Sequence, residues 1–131
     1  MDKEFRNQVV IVTGASRGIG GATAIAFARQ GAHVIINYRR DLEGAMGTLE
    51  TIRVEGNQAT VVQADLGAPD QLADMVDRAE GEIGPVHVLV NNAAAINRQP
   101  FLDVPLDELD AQLAANVRGV FYLSQLVARH M

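Results

Sequence analysis

TGASRGIG, Thr13–Gly20, places three glycines in eight residues directly behind the apolar run Val9–Val12. A strand feeding such a turn and then a helix opens a βαβ unit, in which each glycine has a distinct use. Gly14 sits where the strand turns sharply, Gly18 lets backbone approach a phosphate with no Cβ in the way, and Gly20 lets the helix lie close. The helix beginning near Arg17 then points free N–H groups and a positive dipole end at a bound anion. The other reading of the same letters is a glycine-rich connection with no ligand. A Walker loop is excluded, because no Gly-Lys-Ser/Thr follows and the sole lysine is Lys3.

Working outward, short apolar runs alternate with segments of helical period in the order β-α-β-α-β-α-β-α, the pattern of a parallel sheet covered by helices. Strands are expected at Val9–Val12, 34–37, Ala59–Gln63 and Val86–Val90, the last apolar at almost every position, as in a strand covered on both faces. The first helix is expected to turn Ile19, Thr23, Ala26 and Phe27 inward and to stop at Gly31. The second, from Asp41, carries Leu42, Ala45, Met46, Leu49 and Ile52 on one face. The third starts at Pro69, tolerated in a first turn, and buries Leu72, Met75, Val76, Ala79 and Ile83. A last helix runs from about Pro105 with Leu109, Leu113, Val117, Val120 and Phe121 expected inside.

Composition narrows the function classes. With 131 residues, 48% hydrophobic and 21% charged, the chain fits one compact α/β domain over residues 1–131. A net charge of -5 and eleven scattered basic residues argue against a nucleic-acid partner. The lack of cysteine removes thiolate chemistry and the usual structural zinc sites. His33, His87 and His130 have no close spacing and no acid cluster, so no metal site is expected. Asp107, Glu108 and Asp110 read as helix-start acids rather than a catalytic pair. The first eight residues lack the apolar core of a signal peptide, and no apolar stretch reaches the roughly 18 residues that span a bilayer. A cytoplasmic protein with no membrane contact is expected.

Four pieces in order, TGASRGIG, ADL at Ala64–Leu66, NNAA at Asn91–Ala94 and Asn116 within AANVRGVF, resemble the classical short-chain dehydrogenase/reductase family over nearly the whole chain. INYRRD, 36–41, looks most like its 3-oxoacyl carrier protein reductases and glucose dehydrogenases. The resemblance implies a Rossmann-type parallel sheet of strand order 3-2-1-4, helices on both faces, and an NAD(P)-dependent oxidoreductase acting on a small carbonyl or alcohol.

The resemblance also assigns residues. Gly14, Ser16, Arg17, Gly18, Ile19 and Gly20 would carry the cofactor's phosphates. Asp65 would accept from the adenine amino group beside the Leu66 backbone, or it is a turn aspartate. Backbone at Asn92 and Ala93 would face the ribose and nicotinamide. Ala94 stands where the family usually has glycine, narrowing the cleft unless its φ is negative. At the tip of the second strand no acid precedes Asp41, so Arg39 and Arg17, with the Ser16 hydroxyl, would clamp a 2′-phosphate and favour NADP over NAD; the alternative is two solvated arginines. Asn116 sits mid-helix, a poor place for asparagine, with Gly119 one turn on; in the family this asparagine bends the helix and holds a water of the proton relay, and the alternative is local hydrogen bonding.

One departure bears on catalysis. The family's tyrosine acid, with lysine four residues later, and its serine are not found: Tyr38 is followed four places on by Leu42, Tyr122 by Leu126, and Lys3 precedes both tyrosines. Ser124 is too near Asn116 to be that serine. The expectation is a cofactor-binding half, inactive alone, with an open edge at the fourth strand, part of the last helix exposed, and a tendency to self-associate or form a homo-oligomer. The other function class is a noncatalytic dinucleotide-binding module; a methyltransferase with the same start is disfavoured by NNAA and Asn116.

Overall fold

Val9 and Ile11 pack into one apolar cluster and Val10 and Val12 into another on the opposite face, and all four are buried. Such a strand needs helices on both sides. In the computed structural model, which describes residues 3–131, β1 (Val9–Val12), β2 (His33–Tyr38), β3 (Ala59–Gln63) and β4 (Val86–Val90) form one parallel sheet of order β3-β2-β1-β4. The expected Rossmann-type fold is therefore present. α1 (Gly18–Arg29) and α2 (Leu42–Val54) cover the face of Val10, Val12, Val34 and Ile36. α3 (Pro69–Glu82) and a second helical run cover the face of Ile11, Ile35 and Val62. That run comprises α4 (Leu106–Leu113), a wider π-helical turn at Ala114–Gly119, and α5 (Val120–Ala128).

Strand positions and the buried stripe of α3 follow the hydrophobic period, with β2 one residue longer at each end than expected and Ile83 half-buried against the core. The faces of three other helices differ from expectation, for one reason. Close approach is made by small residues, and the larger ones turn away. On α1 the sheet side is Gly20, Gly21, Ala24 and Ala28, leaving Ile19 79% exposed and Ala26 exposed, with Thr23 and Phe27 half-buried. On α2 Thr48 takes an inward place, its hydroxyl donating to the Ala15 carbonyl at 3.0 Å, while Leu42 and Met46 face out. On the last run Ala115, Gly119, Leu123 and Val127 are buried, whereas Leu109, Leu113, Val117 and Phe121 are exposed and Val120 is half-buried.

β4 takes its expected place at the edge of the sheet, but it is not covered along its whole length. Only Val86 is buried, because among the described residues β4 pairs with β1 alone and forms the sheet edge. Its register with β1 slips between Val9 and Val10, and the extra residue, His87, uses Nδ1 to accept the Val9 N–H at 3.0 Å. The ring nitrogen replaces a ladder carbonyl, so no buried donor is orphaned.

A Cβ built on Gly119 would run into the Leu66 carbonyl oxygen. Helix propensity alone favours alanine over glycine by about 1 kcal/mol, yet Gly119→Ala is expected to lower stability by about 1–3 kcal/mol through overpacking. Urea unfolding measures it, and a gain would show that the Leu66 turn retreats freely.

His33, at the start of β2, is half-buried with Nε2 2.8 Å from Thr60 Oγ1. Burial pushes its pKa below the ordinary 6.5, opposed in part by a hydrogen bond with Gln58. The unfolded chain therefore takes up this proton first, so His33 contributes stability that is present above about pH 6.5 and lost as pH falls through the lower folded value. His33→Gln is expected to flatten the dependence of melting temperature on pH below about 6.5; an unchanged slope would contradict the assignment.

Candidate cofactor cleft

β1 lies between β2 and β4, whose connections depart in opposite directions, and a crevice opens past the carboxyl ends of the strands at such a point. A cleft of about 410 Å³ lies there, bordered by Gly14, Ser16, Arg17, Arg39, Asp65 and Asn92, among others. Its floor is a hydrogen-bond network. Thr13, fully buried, accepts through Oγ1 from the backbone N–H of both Asn92 and Ala93 at 3.0 Å. The Asn92 amide donates back to the Thr13 and Gly14 carbonyls at 3.1 and 3.2 Å. Asn37, 2% exposed, accepts from the Gly14 N–H at 3.2 Å and donates toward the Val62 and Ala64 carbonyls. Buried polar groups persist only when paired, and here the pairing ties the ends of all four strands together.

The glycine turn is built around this floor. Gly14 has φ +63°, and a Cβ on it would come within 3.0 Å of Ala93. A Cβ on Gly20 would strike the Gly14 carbonyl and stand 2.5 Å from the Asn92 amide. Gly18 differs: φ is +60°, and its missing side chain borders open space. α1 has no side-chain cap and no acid in its first turn, whereas α2 is capped by Asp41, which accepts from the Gly44 N–H at 2.9 Å. The positive end of α1 thus has neither a side-chain cap nor an acid of its own first turn.

The charged rim consists of Arg17, Arg39 and Arg40 against Asp41 and Asp65. Arg17 Nε stands 3.8 Å from Asp41 Oδ2 and Arg39 Nε 3.5 Å from Asp65 Oδ2, both pairs long and substantially exposed. Asp65 also serves its own turn, accepting the Gly67 N–H at 2.8 Å. Leu66 is buried at the same rim. On the other rim Asn116, in the π-helical turn, forms two 2.7 Å hydrogen bonds with Ala95, accepting its N–H and donating to its carbonyl. Asn91 donates to Ser124 Oγ at 3.2 Å, and that hydroxyl is 2.7 Å from the Val120 carbonyl.

Of the residues singled out from sequence, Gly14, Ser16, Arg17, Arg39, Asp65, Leu66, Asn92 and Ala93 border the cleft. Gly18, Ile19 and Gly20 form the helix start beside it, and Asn116 stands behind the Ala95 wall. Ala94 does not have the left-handed φ that would demand glycine, since Asn7 alone among the described non-glycine residues has positive φ. Sequence reading gives no such role to Thr13, Asn37 or Thr48. Their signal was a polar residue at the end of, or on the inner face of, an apolar element, where burial requires a partner.

The family model for short chain dehydrogenases matches residues 8–131. Versicolorin reductase 1 of Dothistroma septosporum is 37% identical over 124 residues, 95% of this chain and 47% of that protein. L-rhamnose 1-dehydrogenase (NAD(P)(+)) of a Sphingomonas species is 36% identical over 129 residues, 98% of this chain and 51% of that protein. A short chain dehydrogenase from Burkholderia cenocepacia, solved in complex with NADP, superimposes with a TM-score of 0.92 at 38% identity, covering 97% of this chain and 52% of its own. The chain therefore spans about half the length of the relatives it matches. With the fold, the glycine turn and these matches in agreement, the chain belongs to the short-chain dehydrogenase/reductase family.

Proposed function

We propose that residues 1–131 are the dinucleotide-binding part of an NADP(H)-dependent oxidoreductase that transfers hydride between the cofactor and a small carbonyl or alcohol substrate. The observation that carries this reading is the open, left-handed Gly18 at the uncapped start of α1, beside a cleft rimmed by Arg17 and Arg39. In this reading the pyrophosphate rests on the N–H groups around Gly18–Gly20, with Gly14 and Ile19 flanking it. Arg17, Arg39 and the Ser16 hydroxyl hold the 2′-phosphate, for which the long ion pairs to Asp41 and Asp65 are easily exchanged. Asp65 and Leu66 border the adenine, Asn92 and Ala93 the ribose and nicotinamide side. Asn116 serves the catalytic end by fixing the Ala95 wall. NADPH, when bound, supplies the hydride. The NADP bound to the Burkholderia relative supports the cofactor reading.

The exposed row Leu106, Leu109, Leu113, Val117 and Phe121 supports self-association of the chain, and a cytoplasmic setting belongs to the same proposal. Among the described residues no helix is long and apolar enough to cross a membrane.

Calorimetry on the 131-residue chain is expected to show NADPH binding, preferred over NADH, with no oxidation of NADPH by carbonyl compounds. Arg39→Ala is expected to weaken NADPH by about ten-fold or more, the loss of a charged hydrogen-bond partner, while NADH changes less than about two-fold. Equal loss for both coenzymes would contradict the 2′-phosphate assignment, and absence of binding to either would overturn the function.

A further inference from the structure

The π-helical turn Ala114–Gly119 grips both rims of the cleft. Toward one rim Asn116 clamps Ala95. Toward the other, Gly119 lies against the Leu66 carbonyl so closely that no Cβ fits between them, and Arg118 Nη2 donates to the Gly67 carbonyl at 3.0 Å. The held segment, Asp65–Gly67, is the one whose Asp65 and Leu66 border the cleft. Inside that turn the Gly67 N–H goes to Asp65 Oδ1 and the Ala68 N–H to the Asp65 carbonyl. These bonds close the turn on itself. At its start the turn is held by Gln71 Oε1, which accepts the Asp65 N–H at 2.9 Å, and by the buried Leu66 side chain; at its far side it is held by Arg118 and Gly119, of which Gly119 contributes contact rather than a hydrogen bond. The Arg118 side chain is exposed, so its bond adds little to global stability. What it restrains is one carbonyl, two residues from the Asp65 carboxylate and its 3.5 Å pairing with Arg39.

We infer that Arg118 is a positioning residue for the adenosine end of the cleft: by holding the Gly67 carbonyl it sets where Asp65 and Leu66 stand. The inference rests on the dinucleotide reading given above. It places on the π-helical turn a residue that touches no cofactor itself yet tunes affinity for the adenosine half.

The test uses the 131-residue chain, its Arg118→Ala and Arg118→Lys variants, adenosine 2′,5′-bisphosphate as probe, and amide hydrogen exchange without ligand. Arg118→Ala is expected to speed exchange at Gly67 and Ala68 by about ten-fold with the α3 core amides unchanged. The same variant is expected to weaken the bisphosphate by about three- to ten-fold, the worth of one hydrogen bond. Melting temperature should move by no more than about 2 °C, and Arg118→Lys, which keeps a charged donor, should recover most of the affinity. Unchanged exchange and affinity in Arg118→Ala would overturn the inference. So would faster exchange throughout the domain with a matching fall in melting temperature, the mark of a merely structural role. If the unsubstituted chain fails to bind the bisphosphate at all, the dinucleotide reading falls and takes this inference with it, an outcome seen before any variant is compared.

Discussion

Thr13 Oγ1 takes two backbone N–H groups from the end of β4, and the Asn92 amide returns two hydrogen bonds to the end of β1. Asn37 joins the same floor to β2 and β3 through its own amide. The constraint is general: where a parallel sheet stops, the last N–H and C=O groups need partners, and in a buried place water cannot supply them. Three short polar side chains meet that need here. In doing so they fix the path of the glycine turn, the tilt of α1 and the mouth of the cleft. Replacing Thr13 with an isosteric valine would leave two donors unpaired at the centre of the site, a larger defect than its loss of one oxygen suggests.

Much of this arrangement was legible in the residues. Runs such as Val9–Val12 have no polar face, so covering helices on both sides follow, and with them a parallel sheet. The glycine spacing placed the turn, and Arg17, Arg39 and Asp65 all arrive at one cleft from separate loops. What failed were the helix faces. Periodicity says which residues share a side, but not which side meets the sheet when glycine and alanine make the approach. Ile19, Leu113 and Phe121 look like core residues by composition, yet Gly20, Ala115 and Gly119 occupy the contact. The bonds of Thr13 to Ala93, Asn37 to Gly14 and Thr48 to Ala15 were illegible for another reason: they join residues 23 to 80 positions apart, and no local pattern records such pairings.

The π-helical turn shows how local cost and global use are separated. Asparagine and glycine in one helix weaken it, and a widened turn has poorer hydrogen-bond geometry than a regular one. Both departures fall where the helix must touch two loops at once: Asn116 reaches the Ala95 backbone, and Gly119 admits the Leu66 carbonyl. Sites where sequence breaks the rules of its own element are where a fold serves something besides stability.

Backbone amide resonances of Ser16–Gly20, followed by nitrogen-15 NMR as NADPH is added, report most directly on whether the anion seat is the start of α1. Saturating shifts concentrated at Ser16–Gly20, with weaker ones at Asp65 and Ala93, are expected. Shifts that bypass Ser16–Gly20 and gather elsewhere on the surface would contradict the seat, whatever the affinity.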